Sequence, residues 1–283
     1  MKPIRALAVA APVLLGGAGL LAWSSYRGAM RQADEAWHAI AARAEPPAAR
    51  FDPAMINGLP EVARRYFRRA IAAGTPLSTT VELEMEGTFL LGDAREHQSY
   101  RMTAQQILRP PHEFVWMPRL ASGAMRISGS DALVGGEAWT RFFLLGLVPV
   151  ANMRTSPDLL RSAAFRSAVE GVWAPASLLP ANGVEWEQVG DDRARLTFRR
   201  LSPEIAIELE LAEDGTVREI LGRRWSNANP EQSFRLQPFG GTVLRSATFG
   251  GFTIPADVRI GNHYGTADYL PFFHARILRA AYR

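Results

Sequence analysis

The strongest constraint on the fold is a two-residue alternation of apolar and polar side chains that begins at Val81. In the stretch 81–86 every second residue is apolar and the residues between are glutamates. Successive side chains of a strand point to opposite faces, so this stretch predicts a half-buried β-strand. Further strands are predicted at Tyr100–Leu108, Glu113–Met117, Ala124–Ile127, Trp139–Val148, Val184–Val189, Arg193–Arg199, Ile205–Leu211, Val217–Trp225, Ser233–Pro238, Thr242–Phe249, Ala256–Asn262 and Ala275–Tyr282.

Short turns join several of these strands. The stretches 190–192 and 213–215 read Gly-Asp-Asp and Glu-Asp-Gly, which are hairpin signals. The glycine pairs at 135–136, 240–241 and 250–251 are interpreted as turns or bulges. Consecutive strands joined by hairpins predict an antiparallel sheet, and a sheet of about ten strands must curl to bury a face.

Helices are predicted at four places. Residues 6–26 form an uncharged stretch, and an apolar spacing of three and four continues through 30–44. The third place begins near Leu59-Pro60, and the fourth begins with Ser156-Pro157-Asp158 and reaches Val169. The fold class is therefore α+β: a large curved antiparallel β-sheet with a few helices, after an N-terminal hydrophobic helix. The helical segment 157–179 is expected to pack on one face of the sheet.

The N-terminal segment predicts export of the rest of the chain. Residues 6–26 are just long enough to span a bilayer, since a spanning helix needs about 20 apolar residues. Lys2 and Arg5 precede the segment and favour an N-terminus inside the cytoplasm. An uncleaved anchor is the first reading, a cleaved signal peptide the second and a buried core helix the third. The first two place the domain on the periplasmic or extracytoplasmic side, anchored or secreted.

The expected organisation has three parts. Residues 1–27 are a membrane anchor or signal segment, 28–58 an amphipathic helix and linker, and 59–283 one β-rich globular domain. The oligomeric state is left open.

Composition excludes several classes of chemistry. The chain contains no cysteine, and its only lysine is Lys2, so thiolate sites, Schiff-base lysines and P-loop lysines are absent from the domain. None of the five histidines has a metal-ligand spacing, and no nucleophile elbow is present. We therefore expect no catalytic residue, no metal, no cofactor and no nucleic-acid partner, and we lean away from an enzyme.

Two groups of residues are candidate sites. Arg166 and Glu170 are four apart on the predicted helix and Trp173 follows by three, so they share a face; with Trp116 they form a candidate ligand-binding group. The second group is a candidate membrane surface near anionic lipid, formed by Arg64, Arg65, Arg68 and Arg69.

Several blocks resemble an uncharacterised bacterial family of domains of unknown function. The blocks are Leu59–Phe67, Pro111–Trp116, Arg166 with Glu170, Trp173–Pro180, Val184–Trp186 and Gly250–Pro255. The most specific block reads W-x-P-x-x-L-L-P at 173–180. The resemblance spans 59–283 and implies one long domain on a membrane-anchored protein. It implies no activity.

The expected function is a non-enzymatic cell-envelope module. It binds an apolar or lipid-like ligand, or a partner protein, in the concave face of its sheet. The alternative is an envelope hydrolase or isomerase that uses Arg166 and Glu170.

The export prediction is testable with a topology reporter. Alkaline phosphatase fused after Arg283 is expected to be active, because the uncharged segment follows a basic N-terminus. Fluorescence from a cytoplasm-dependent reporter at the same position would instead place the domain inside the cell.

Overall fold

The structure is a computed structural model that describes residues 3–92 and 96–283, with side chains described from Leu20 onward. The helices are α1 (Pro3–Ala42), α2 (Glu61–Ala70) and α3 (Pro157–Val169), and short 3-10 turns lie at Pro53–Ile56, Glu170–Trp173, Pro175–Leu178 and Pro180–Asn182. The strands are β1 (Val81–Gly92), β2 (His97–Arg109), β3 (Glu113–Ser122), β4 (Met125–Val134), β5 (Glu137–Leu144), β6 (Val148–Met153), β7 (Val184–Gln188), β8 (Arg193–Phe198), β9 (Ile205–Leu211), β10 (Val217–Ser226), β11 (Arg235–Phe249), β12 (Phe252–Asn262) and β13 (Leu270–Tyr282).

All thirteen strands belong to one antiparallel sheet, which confirms the predicted fold class. The strand order is β6-β5-β4-β3-β2-β1-β13-β12-β11-β10-β9-β8-β7. The sheet thus consists of two meanders, β1–β6 and β7–β13, each built from strands that follow one another in the chain. Among the described strands, the backbones of the two meanders pair where β1 runs beside β13, from Val81 opposite Tyr282 to Phe89 opposite Phe273.

Two details of the strand prediction were wrong. The pair Gly240-Gly241 does not form a turn but lies inside β11, which joins the two strands predicted on either side of it. A Cβ on Gly241 would lie 1.8 Å from the carbonyl oxygen of Arg259 on β12, so glycine serves close strand approach there. The strand predicted at Trp139–Val148 is divided by a turn into β5 and the start of β6.

The sheet curls around α3. Hydrogen bonds join α3 to β4 through Arg166 and Asp131, and to β10 through Asp158 and Trp225. Seven strand spacings separate β4 from β10, about 34 Å across a flat sheet at about 4.8 Å per strand. A helix is only about 10–12 Å wide. One helix contacts both strands only because the sheet bends around it.

The other face of the sheet carries α1. Side chains of β3 alternate between the two faces: Phe114 and Trp116 belong to the core that holds α3, and Val115 packs with Ile40 of α1 in a separate apolar cluster. Beyond the helix end, Arg43 donates to Glu113 at 2.7 Å. The helix is continuous through the position at which the sequence predicts a boundary between anchor and domain.

The predicted anchor or signal, residues 6–26, lies for the most part outside the residues whose side chains are described. Within the described part of the chain, no helix combines the length and apolar character needed to cross a membrane.

The segment before β1 packs against the second meander. Tyr66 and Phe67 of α2 surround the indole of Trp186 on β7, with ring centroids 5.1–5.2 Å from it. Phe51 and Ile56, from the stretch 45–58, are buried in the same core. Helix α2 thereby covers one end of the sheet.

The tight approach of α3 to β10 predicts the effect of a single methyl group. A Cβ on Gly222 would lie 2.7 Å from the Phe165 ring, which is buried against Phe239. Gly222→Ala is expected to lower the free energy of unfolding by about 1–3 kcal/mol through overpacking. Urea unfolding is the measurement, and Gly58→Ala, where a Cβ meets nothing within 4 Å, is the control. A Phe165→Leu background that fails to reduce the cost of Gly222→Ala would contradict this account.

Candidate functional site

A cavity of about 270 Å³ lies between α3 and the curled sheet. It is enclosed by the end of α3, by the 3-10 turn that follows, and by strands of both meanders. Its walls are mainly apolar, with four charged residues among them. The lining residues are Phe89, Trp116, Asp131, Thr140, Phe142, Met153, Arg166, Val169, Glu170, Val172, Trp173, Ile220, Arg224, Phe239, Val258, Ile260, Phe272 and Phe273.

Local sequence signals fix the position of α3. The Ser156 side chain accepts a hydrogen bond from the backbone N–H of Leu159, and Pro157 occupies the first turn. The helix ends at Val169, and Glu170 caps it with its N–H bonded to the carbonyls of Arg166 and Ala168. Pro175 lacks the N–H that a continuing helix needs, and short 3-10 turns follow. Arg166 and Glu170 are thereby placed side by side at the cavity.

Arg166 is held between two carboxylates. Its Nε donates to Glu170 Oε1 at 2.7 Å and its Nη1 to Asp131 Oδ2 at 2.5 Å. The three side chains are 14%, 12% and 18% exposed, for Arg166, Glu170 and Asp131. Burial by itself would lower the pKa of Arg166, but the two carboxylates raise it above its ordinary value. The guanidinium is therefore a fixed cation whose charge is neutralised locally.

The remaining oxygens of both carboxylates are also bonded. Gln106 Nε2 donates to Glu170 Oε2 at 2.5 Å, and Thr140 Oγ1 donates to Asp131 Oδ1 at 2.8 Å. Each of the four carboxylate oxygens therefore accepts a hydrogen bond. Among residues 3–92 and 96–283, no group of three or more histidines or acids is placed to hold a metal ion.

The two tryptophans of the candidate site play different structural parts. Trp116 lies beneath the Arg166 guanidinium, 5.0 Å from Cζ to the ring centroid, which is a cation–π arrangement. Its buried Nε1 has no acceptor among the described residues. The Nε1 of Trp173 donates to the carbonyl of Pro255 on β12 at 2.9 Å, which ties the turn after α3 to the second meander.

Arg224 is the second cation of the cavity, and its surroundings differ from those of Arg166. Its Nε donates to Ser162 Oγ at 3.1 Å, and its guanidinium lies 5.3 Å from the centroid of the Phe239 ring. Within the described part of the chain it forms no ion pair. Burial, together with the nearby positive charge of Arg166, lowers the pKa of Arg224 to about 10. Arg224 therefore remains charged at neutral pH without a carboxylate partner.

The structure brings together all four residues of the first candidate group. Trp116, Arg166, Glu170 and Trp173 line the one cavity, although they come from β3, α3 and the turn after it. Whether they bind a ligand stays a prediction.

The second candidate group lies elsewhere, on α2. Each of its arginines has an acidic residue within 4 Å: Glu61 for Arg64 and Arg68, Asp192 for Arg65, and Asp214 for Arg69. Arg65 and Arg69 thereby connect α2 to the turns of the second meander. These pairs reduce the positive charge available to a lipid surface, and the membrane role of the group stays a prediction.

Sequence reasoning missed Asp131, Thr140, Gln106 and Arg224. The first three reach the site through long-range strand pairing, for which the sequence carries no local signal. A signal for Arg224 was present. Gly222 and Arg224 share the parity of the apolar Ile220, so strand alternation places Arg224 on the core face of β10.

Comparisons with known proteins identify a family and distant structural likenesses. The model of DUF6544, described as a family of unknown function, matches residues 49–275. No curated protein matches the sequence.

Three solved structures are similar over most of their length. They are a LolA superfamily protein from Nitrosomonas europaea (10% identity, 78% of this chain and 92% of that one, TM-score 0.38), a domain from Vibrio parahaemolyticus whose name refers to outer membrane lipoprotein sorting (10%, 79% and 91%, 0.40), and a DUF1329 family protein from Desulfovibrio piger (9%, 72% and 86%, 0.36). At these TM-scores the likeness establishes no shared function.

The buried position of Glu170 predicts a large effect on stability. Glu170→Ala leaves Arg166 with one carboxylate and removes the acceptor of Gln106, so we expect a loss of about 3–5 kcal/mol in the free energy of unfolding. The control is Glu185→Ala, which breaks a pair with Arg199 of the same 2.7 Å length whose side chains are 62% and 52% exposed. That change is expected to leave the urea midpoint nearly unchanged, because exposed ion pairs add little to stability. Equal urea midpoints for wild type and Glu170→Ala would show that the fold does not need this glutamate.

Proposed function

Since this chain belongs to DUF6544, a family of unknown function, we propose its function from the cavity itself: the protein binds a small apolar or lipid-like ligand between α3 and the sheet. The domain acts as a carrier or receptor in the cell envelope and performs no chemistry on the ligand.

The observation that carries this proposal is the aromatic wall of the cavity. Five phenylalanines from β1, β5, β11 and β13 line it together with Trp116: Phe89, Phe142, Phe239, Phe272 and Phe273. Small-molecule sites have this character, since they are concave, mostly apolar and furnished with a few convergent polar groups. Burial of an alkyl chain gains about 0.8 kcal/mol per methylene.

The size of the cavity favours a single-chain ligand over a partner protein. Its volume of about 270 Å³ is near the lower end of ligand sites, which span roughly 300–1,000 Å³. A stable protein interface buries about 1,200–2,000 Å² of surface. An area of that size requires a broad surface patch and not a small cavity between one helix and the sheet. One alkyl chain is the occupant that the volume supports best.

The bonding of the carboxylates argues against the enzymatic alternative. A general acid or base must reach a proton on the substrate, whereas the Glu170 oxygens are taken by Arg166 and Gln106. Arg166 and Glu170 are better explained as the connection between α3 and the first meander. We therefore assign the site to binding.

The proposed place of action is the extracytoplasmic side of a membrane. The uncharged segment 6–26 after a basic N-terminus supports export and attachment, and residues 59–283 then form the exported domain. An apolar ligand in water is scarce, and a bilayer beside the domain is its natural source. The arginines of α2 are a further candidate contact with anionic lipid.

A cavity-filling variant tests the proposal. The full chain in phosphatidylcholine nanodiscs is photolabelled with a diazirine-bearing palmitic acid analogue, and labelled peptides are located by mass spectrometry. Label is expected on the strands that line the cavity. Ile260→Trp is expected to reduce this labelling at least tenfold, because the added ring occupies the ligand volume.

The matched control places the same ring outside the cavity. Leu244 on β11 is 50% exposed, so Leu244→Trp is expected to leave labelling unchanged. Unaltered labelling of the cavity strands in Ile260→Trp, or label confined to α1, would refute binding in the cavity.

A further inference from the structure

The charged groups of the cavity are distributed unevenly. Asp131 and Glu170 formally balance the charges of Arg166 and Arg224, but both carboxylates bond directly to Arg166. Arg224 thus forms no direct ion pair within the described residues: its guanidinium bonds to the Ser162 hydroxyl and lies over the Phe239 ring, while the two carboxylates act on it only through space. A partly buried cation without a direct ion pair loses part of its hydration and gains no direct contact with an anion in return.

The geometry of Arg224 leaves part of its guanidinium available. Its Nε is used by Ser162, and its face lies over Phe239. Its two Nη groups donate to no acceptor within the described part of the chain. A guanidinium edge with two parallel N–H donors matches the two oxygens of a carboxylate.

We propose that Arg224 binds the anionic head of a single-chain amphiphile whose apolar tail occupies the cavity, with a long-chain carboxylate as the ligand class. This inference rests on the proposed function and adds its polar determinant. A single guanidinium without a direct ion pair matches a single carboxylate, so a monoanionic head is the expected ligand class. The aromatic walls described above receive the tail.

The proposal also explains why a partly buried arginine occupies a position that an apolar residue would fill at lower cost. Arg224 contributes nothing to an ion pair that closes the fold. Its removal is therefore expected to weaken ligand binding without weakening the protein. A purely structural arginine would behave in the opposite way, because its loss would lower the urea midpoint and leave ligand preference unchanged.

The test compares an acid with its matched alcohol. The full chain in phosphatidylcholine nanodiscs is titrated with diazirine-bearing palmitic acid and with the corresponding alcohol, and half-saturation of cavity labelling gives an apparent Kd. Wild type is expected to bind the acid at least tenfold more tightly than the alcohol. Arg224→Met is expected to lose that preference, keep its affinity for the alcohol within about twofold, and unfold at the same or a higher urea concentration.

The neighbouring arginine provides the matched control. Arg223 precedes Arg224 on β10, is exposed, donates to the Leu236 carbonyl and does not line the cavity, so Arg223→Met is expected to keep the preference for the acid. Arg224→Gln serves as a second neutral variant should the methionine variant fold poorly.

The outcomes separate the two proposals. Equal binding of acid and alcohol to wild type, or an acid preference that survives in both Arg224 variants, overturns the role of Arg224 and leaves the apolar site standing. Absence of cavity labelling by either probe removes both the site and its anionic determinant.

Discussion

The contact of one helix with two distant parts of one sheet is the constraint on which the rest of the structure depends. Helix α3 bonds to β4 through Arg166 and to β10 through Asp158. Those strands are adjacent to the same helix only because the sheet curls, and the curl creates the enclosed space. The buried side chains of Arg166, Asp131 and Glu170 then set the distance between the helix and the first meander.

The same arrangement separates stability from recognition within one cavity. At the end near Arg166, all four carboxylate oxygens of Asp131 and Glu170 accept hydrogen bonds. The end near Arg224 has donors to spare and lies beside aromatic rings. Unused donors beside a mainly apolar cavity are a feature that ligand sites share. The unfavourable burial of charge is thereby confined to a few residues.

The sequence predicted the fold well because period-two alternation and hairpin turns are local signals. It failed where a glycine pair suggested a turn, since nothing local distinguishes a turn from the close strand approach that places Gly241 opposite Arg259. Helix capping at Ser156 and the four-residue spacing of Arg166 and Glu170 predicted one of the two ion pairs that Arg166 forms. Asp131 was missed because its proximity to Arg166 depends on the curl of the whole sheet.

Arg224 shows a different limit. Arginines account for 31 of the 32 basic residues, so the residue type alone does not single out Arg224. Its strand parity with Ile220 was readable from the sequence. Its role, however, depends on the cavity that it lines, and that cavity forms only when distant strands come together. Arg166, Glu170 and Trp173 were found because they share one face of a predicted helix. Trp116 was found because it lies in one of the blocks that resemble the family.

The pairing of β1 with β13 has a consequence for the order in which the molecule is made. The first meander and α3 are complete in sequence before the second meander is synthesised, yet the strand that joins the halves ends only at Tyr282. Contacts so distant along the chain form slowly, and until they form each half exposes an unpaired strand edge. The cavity draws its walls from both halves. It therefore cannot form before β13 has been synthesised and paired, and loss of β13 would remove the centre of the sheet and not its margin.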